Sequence, residues 1–139
     1  MKENKLKEKL INGHSVIGPF CKISSTSLVE ISALAGFDFV ILDMEHGPLS
    51  IESVQDLLNA AQSHGLQVVV RIRENSPSNI LQILDIGVQS IQVPQINNVI
   101  DAQKVVNSSY YYPKGDRGMC RYVPVSYTHL TLPTKSRVL

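Results

Sequence analysis

Apolar positions follow two alternating rhythms along the chain. Continuous or near-continuous apolar runs at residues 38–43 (DFVILD) and 66–72 (LQVVVRI) predict strands buried on both faces. Shorter runs at 15–22 (SVIGPFCK) and 90–94 (SIQVP) predict two more. Between them the apolar residues recur at helical spacing. Residues 2–12 form a short amphipathic helix ended by Gly13. Residues 27–35 form a second, with Ser27 and Glu30 as a capping box and Gly36 as its stop. Ser50 is an N-cap for a helix over 51–64, in which Ile51, Val54, Leu57, Leu58 and Ala61 share a face. Ser76-Pro77 opens the next helix; Ile80, Leu81, Ile83 and Leu84 face its core, and Gly87 closes it. Residues 99–107 form a last helix.

One helix followed by four β-α units predicts a parallel α/β sheet. A doubly wound sheet and part of a (β/α)8 barrel both fit. The first strand is not followed by G-x-G-x-x-G, which weakens the dinucleotide-binding reading. A whole barrel takes about 250 residues, so four units amount to half of one.

Composition narrows the function classes. The 139 residues suffice for one core, and 43% hydrophobic with 18% charged residues is the range of soluble globular proteins. A net charge of +1 argues against nucleic-acid partners and against a polybasic membrane surface. No apolar run approaches the ~18 residues that span a bilayer. The N-terminal MKENKLKEKL lacks the apolar segment of a secretory signal, so a cytoplasmic location is expected. Cys21 and Cys120 have no C-x-x-C spacing and read as two reduced thiols.

Ligands of parallel α/β folds bind at the carboxyl ends of the strands, and the polar residues collect there. The second strand runs into Asp43, Glu45 and His46 before Gly47-Pro48 stops it. The third ends in Arg71, Arg73, Glu74 and Asn75, and the fourth in Pro94-Gln95. A histidine beside carboxylates suits general acid–base work, because its ordinary pKa lies near working pH. An arginine on the next strand could grip a carboxylate through paired hydrogen bonds, or stabilise a developing enolate. Plainer readings stand beside these: His46 as a surface loop residue, and Arg71 as an ion-pair partner of Asp43 or Glu45. Asp85 falls in the last turn of its helix, where the macrodipole disfavours an anion. It reads either as a solvent-facing carboxylate or as one placed to orient a histidine. Asp43, Glu45 and His46 cannot all converge on one metal ion, since neighbouring strand residues point to opposite faces. With no second His/Asp/Glu cluster, no complete metal site is expected in this chain.

The blocks FDFVILDMEHGP, VVVRIREN, ILDIGVQSIQVPQI and YYPKGDRGMCRYV resemble, in order and spacing, those of the 2-keto-3-deoxy acid aldolases. This is the HpcH/HpaI group that includes 4-hydroxy-2-oxoheptanedioate aldolase, with citrate lyase β chains as distant relatives. The resemblance covers residues 4–123. It implies a TIM (β/α)8 barrel, of which this chain would supply the N-terminal half. It also implies a class II, metal-dependent aldolase that reversibly cleaves a 4-hydroxy-2-oxo acid to pyruvate and an aldehyde. On that resemblance His46 is the acid–base residue and Arg71 stabilises the pyruvate enolate. Asp85 raises the basicity of the histidine, with Asp43 and Glu45 in support. A magnesium, manganese or cobalt ion would be held by a Glu and an Asp at the ends of the next two strands. The resemblance further implies a trimer-based hexamer.

Those two strands are not found after YYPKGDRGMCRYV. Residues 125–134, VSYTHLTLPT, instead resemble the in-frame translation of a sequencing-library adapter, so 124–139 is expected to be a non-native tail. Lacking the metal ligands, the chain alone is expected to be inactive. A citrate lyase β-like lyase acting on acyl-CoA and a non-catalytic organic-acid-binding module are the alternative functions.

Overall fold

Each helix begins where a polar side chain can accept a hydrogen bond from the otherwise unpaired N–H groups of the first turn. In the computed structural model, which describes residues 4–120, 122 and 123, Asn4 does this for α1 (Lys5–Ile11). Ser50 does it for α3 (Ile51–Ser63), Ser76 for α4 (Pro77–Asp85) and Asn98 for α5 (Val99–Ser109). The exception is α2 (Thr26–Leu34). Its N-cap is Ser25, without a side-chain cap bond, so the capping box expected at Ser27 and Glu30 does not set its start.

The strands are β1 (Phe20–Cys21), β2 (Phe39–Asp43), β3 (Gln67–Arg71) and β4 (Ile91–Gln92). They form one parallel sheet in the order β1-β2-β3-β4. The parallel α/β architecture expected from the alternation is therefore the one observed. The first strand is shorter than the predicted 15–22. Pro19 cannot donate a ladder hydrogen bond, and Gly18 lies so close to β2 that an added Cβ would meet the Phe39 carbonyl oxygen at 2.2 Å. The segment still lies along β2, where the carbonyls of Ile17 and Pro19 accept from the N–H groups of Asp38 and Ile41.

The register decides which face each residue takes. Leu42 pairs with Val70 and Val40 with Val68. All four are buried with Val29, Val54, Leu57, Ala61, Ile80 and Ile83, the residues that α2, α3 and α4 turn toward the sheet. Val93 packs against the same cluster. The register thus assigns Val40, Leu42 and Val93 to the helix-covered face. Val69 and Ile41 lie on the opposite, less covered face. On α4, Ile80 and Ile83 are fully buried, while Leu81 and Leu84 are only partly so. Among the described residues, no helix is long and apolar enough to cross a membrane.

Candidate active site

Asp43 and Arg71 are register partners at the carboxyl ends of β2 and β3. Because Ile41 and Val69 share a face with them two positions earlier, both side chains stand on the open face of the sheet. Asp43 grips the guanidinium edge-on: its Oδ1 accepts from Arg71 Nε at 2.9 Å and its Oδ2 from Nη2 at 2.8 Å. The same Oδ1 accepts from the backbone N–H groups of Glu45 and His46, at 3.1 and 3.2 Å. Lys22, at the end of β1, brings its ammonium within 3.6 Å of Oδ2. The Asp43 carboxyl is consequently held well below the usual carboxylate range, chiefly by its hydrogen bond with Arg71, against an opposing effect of burial. Asp43 is fully buried (0% exposed), so one carboxylate ties the loop after β2 to the arginine of β3.

The remaining predicted residues of the mouth surround this pair. Glu45 Oε2 lies 3.3 Å from Arg71 Nη1, and Glu45 Oε1 lies 3.6 Å from His46 Nε2. The His46 side chain is 64% exposed and open to a ligand from solvent. Asp43 uses the Nε hydrogen and one Nη2 hydrogen of Arg71. At least one hydrogen on each terminal nitrogen therefore remains for an anionic ligand. Arg71 is thus the ion-pair partner of both carboxylates, as its plainer reading had it, and it is also left able to bind. Gly47 keeps the loop tight: an added Cβ would meet the Asp43 carbonyl oxygen at 2.3 Å and Lys22 Cβ at 3.3 Å. Gly47→Ala is expected to cost about 1–3 kcal/mol by this crowding, read as a lowered thermal midpoint of the complete protein. An unchanged midpoint would show that the loop accommodates a side chain there.

Asp85 is placed elsewhere. It pairs with Arg117, whose Nη2 donates to Asp85 Oδ1 at 2.5 Å. This guanidinium is nearly buried and lies over the Tyr111 ring, 4.8 Å from its centroid. Gly87, just past this helix end, lines one cavity with Leu66 and Gln67, so Asp85 lies toward the amino ends of the strands. Arg117 offsets the unfavourable end of the α4 dipole, and the structure does not bring Asp85 to His46 within this chain.

Sequence reasoning passed over four residues that the structure engages: Phe20, Lys22, Gln92 and Arg117. Lys22 follows β1 next to the Asp43 layer, and Gln92 is the register partner of Arg71 on β4. The signal for Lys22 and Gln92 was their position at strand ends; for Arg117 it was the YYPKGDRGMCRYV block. The free thiols are Cys21, which is buried, and Cys120, which is exposed.

The model of one protein family, HpcH/HpaI aldolase/citrate lyase, matches residues 17–135. The chain belongs to this family. The match runs past Val123 into the span expected from sequence to be an unrelated tail; residues 124–139 lie outside the described ones. Among curated relatives, 2-keto-3-deoxy-L-rhamnonate aldolase of Escherichia coli O17:K52:H18 is 35% identical over 116 residues, 84% of this chain and 43% of that one. The 4-hydroxy-2-oxo-heptane-1,7-dioate aldolase of Escherichia coli strain ATCC 8739 is 38% identical over 117 residues, covering 84% and 45%. The chain thus spans less than half the length of these relatives. An HpcH/HpaI aldolase crystal structure from Desulfitobacterium hafniense DCB-2 superimposes with a TM-score of 0.77 at 31% identity, over 83% of this chain and 45% of that one. A family structure from Burkholderia cenocepacia J2315 reaches 0.82 at 29% identity, over 89% and 51%. The four parallel strands therefore correspond to about half of a barrel of the HpcH/HpaI type.

The resemblance implies a divalent metal, for which the described residues offer no ready set of ligands. Among them no group of three His, Cys, Asp or Glu side chains could bind an ion. The carboxylates at the mouth are already engaged, Asp43 by Arg71 and two backbone N–H groups, Glu45 by Arg71.

Proposed function

We propose that the complete protein is a carbon–carbon lyase that reversibly cleaves a 4-hydroxy-2-oxo acid into pyruvate, or a close analogue, and an aldehyde. The observation that carries this reading is the Arg71 guanidinium, fixed along one edge by Asp43 and still holding donors for an anion beside an exposed histidine. Family membership and the named aldolases among the relatives support it. Magnesium, manganese or cobalt belongs to the proposal, with ligands beyond the described residues.

The chain's own residues account for two demands of the reaction. A ring nitrogen of His46 takes the proton of the substrate's 4-hydroxyl as the C3–C4 bond breaks and the aldehyde carbonyl forms. The bond's electrons pass into the pyruvate enolate, whose negative oxygen faces the Arg71 donors. Asp43 and Glu45 orient the guanidinium. Asp85, occupied by Arg117, takes no step in this scheme.

The test is pyruvate release from 4-hydroxy-2-oxo acids by the complete protein, expressed from its full reading frame with each of the three metals. Metal-dependent release that a chelator abolishes is expected. Binding of a 2-oxo acid without turnover would replace this reading with the organic-acid-binding module. Turnover confined to acyl-CoA thioesters would replace it with a citrate lyase β-like enzyme.

A further inference from the structure

Arg71 is gripped along one edge by Asp43, but an edge contact leaves the guanidinium plane free to tilt. A face contact removes that freedom, and β1 supplies one. Phe20 opens the two-residue β1, paired in register with Ile41 on the open face of the sheet. Its ring centroid lies 5.0 Å from Arg71 Cζ, within the roughly 6 Å reach of a cation–π contact. Phe20 is 52% exposed and lies outside the buried core, so core packing does not account for its position. Exposed apolar residues are common and mean little singly. What singles this one out is that its ring lies over the Arg71 guanidinium.

We infer that Phe20 is a positioning residue for Arg71: its ring fixes the guanidinium plane and shields one face, so that the outward donors meet the oxygens of a 2-oxo acid in one orientation. Three segments then hold one cation: Phe20 from β1, Asp43 from β2 and Glu45 from the loop beyond it. The inference rests on the proposed role of Arg71 as the anion-binding group. Losing the ring leaves both Asp43 hydrogen bonds in place, so the site persists with a looser cation.

The test replaces Phe20 in the complete protein with phenylalanines carrying one, two and three ring fluorines, and separately makes Phe20→Leu and Phe20→Trp. Fluorine drains the negative face of the ring at nearly constant shape, a change that a purely structural role does not feel. The probe is oxalate, a planar dianion that resembles the pyruvate enolate, titrated by calorimetry in the presence of magnesium. Affinity is expected to fall stepwise with each fluorine. It should fall by about fivefold or more in Phe20→Leu and stay near wild type in Phe20→Trp. Equal affinity across the fluorinated series overturns the inference, and so does a wild type that does not bind oxalate. Fluorine-dependent binding by a protein that never releases pyruvate leaves Phe20 in its role and sinks the lyase reading instead.

Discussion

Asp43→Ala is expected to destabilise the complete protein by about 3–5 kcal/mol, the usual range for removing one member of a buried ion pair. The carboxylate is fully buried and accepts two hydrogen bonds from Arg71 and two from the backbone of the loop carrying Glu45 and His46. Its removal leaves the guanidinium without its main partner and two N–H groups without an acceptor. The urea midpoint measures the effect, and a change below about 1 kcal/mol would show that Glu45 and solvent replace Asp43. The same group makes an acid prediction. Its carboxyl is held below the usual range, so it contributes stability that is fully present above the unfolded carboxylate value of about 4. That stability is lost as the pH falls from there toward the lower folded value. Asp43→Asn should therefore flatten the acid limb of the stability profile and leave its neutral limb parallel to wild type.

Arg71→Lys is expected to lower kcat for pyruvate release by about 10²- to 10³-fold, the cost of losing a preorganised donor at developing negative charge. A lysine keeps the charge but is a point cation with no planar fork. It cannot fill both oxygens of Asp43 and also present two donors outward, as the guanidinium does. Lys22 already supplies an ammonium within 3.6 Å of the same carboxylate, so charge alone is not what the site lacks in this variant. Steady-state kinetics with saturating metal measure the change. A kcat within a factor of about three of wild type would remove Arg71 from the proposed chemistry.

Much of this arrangement was legible in the sequence. The alternation of apolar runs and helical stripes marked the four parallel strands, and the polar strand ends marked Asp43, Glu45, His46 and Arg71. What stayed hidden has physical causes. In a strand apolar on both faces, as in FVIL, nothing local says which parity faces the helices; the pairing register does, and it turned Val40 and Leu42 to the helix side. Lys22 and Gln92 looked unremarkable because their relation to Asp43 and Arg71 is between strands. The ion-pair partner of Asp85 stayed hidden for a similar reason. A carboxylate at the wrong end of a helix dipole calls for a cation, and the chain supplies Arg117 from 32 residues onward.

The most direct measurement of the central claim, that Arg71 and His46 handle a pyruvate enolate, needs no knowledge of the aldehyde. It is the exchange of the pyruvate methyl hydrogens with deuterium, followed by proton NMR in heavy water with the complete protein and a divalent metal. Enzyme-dependent loss of the methyl signal is expected, strongly slowed in Arg71→Lys. Pyruvate that binds but keeps its hydrogens, or exchange indifferent to Arg71, would contradict it.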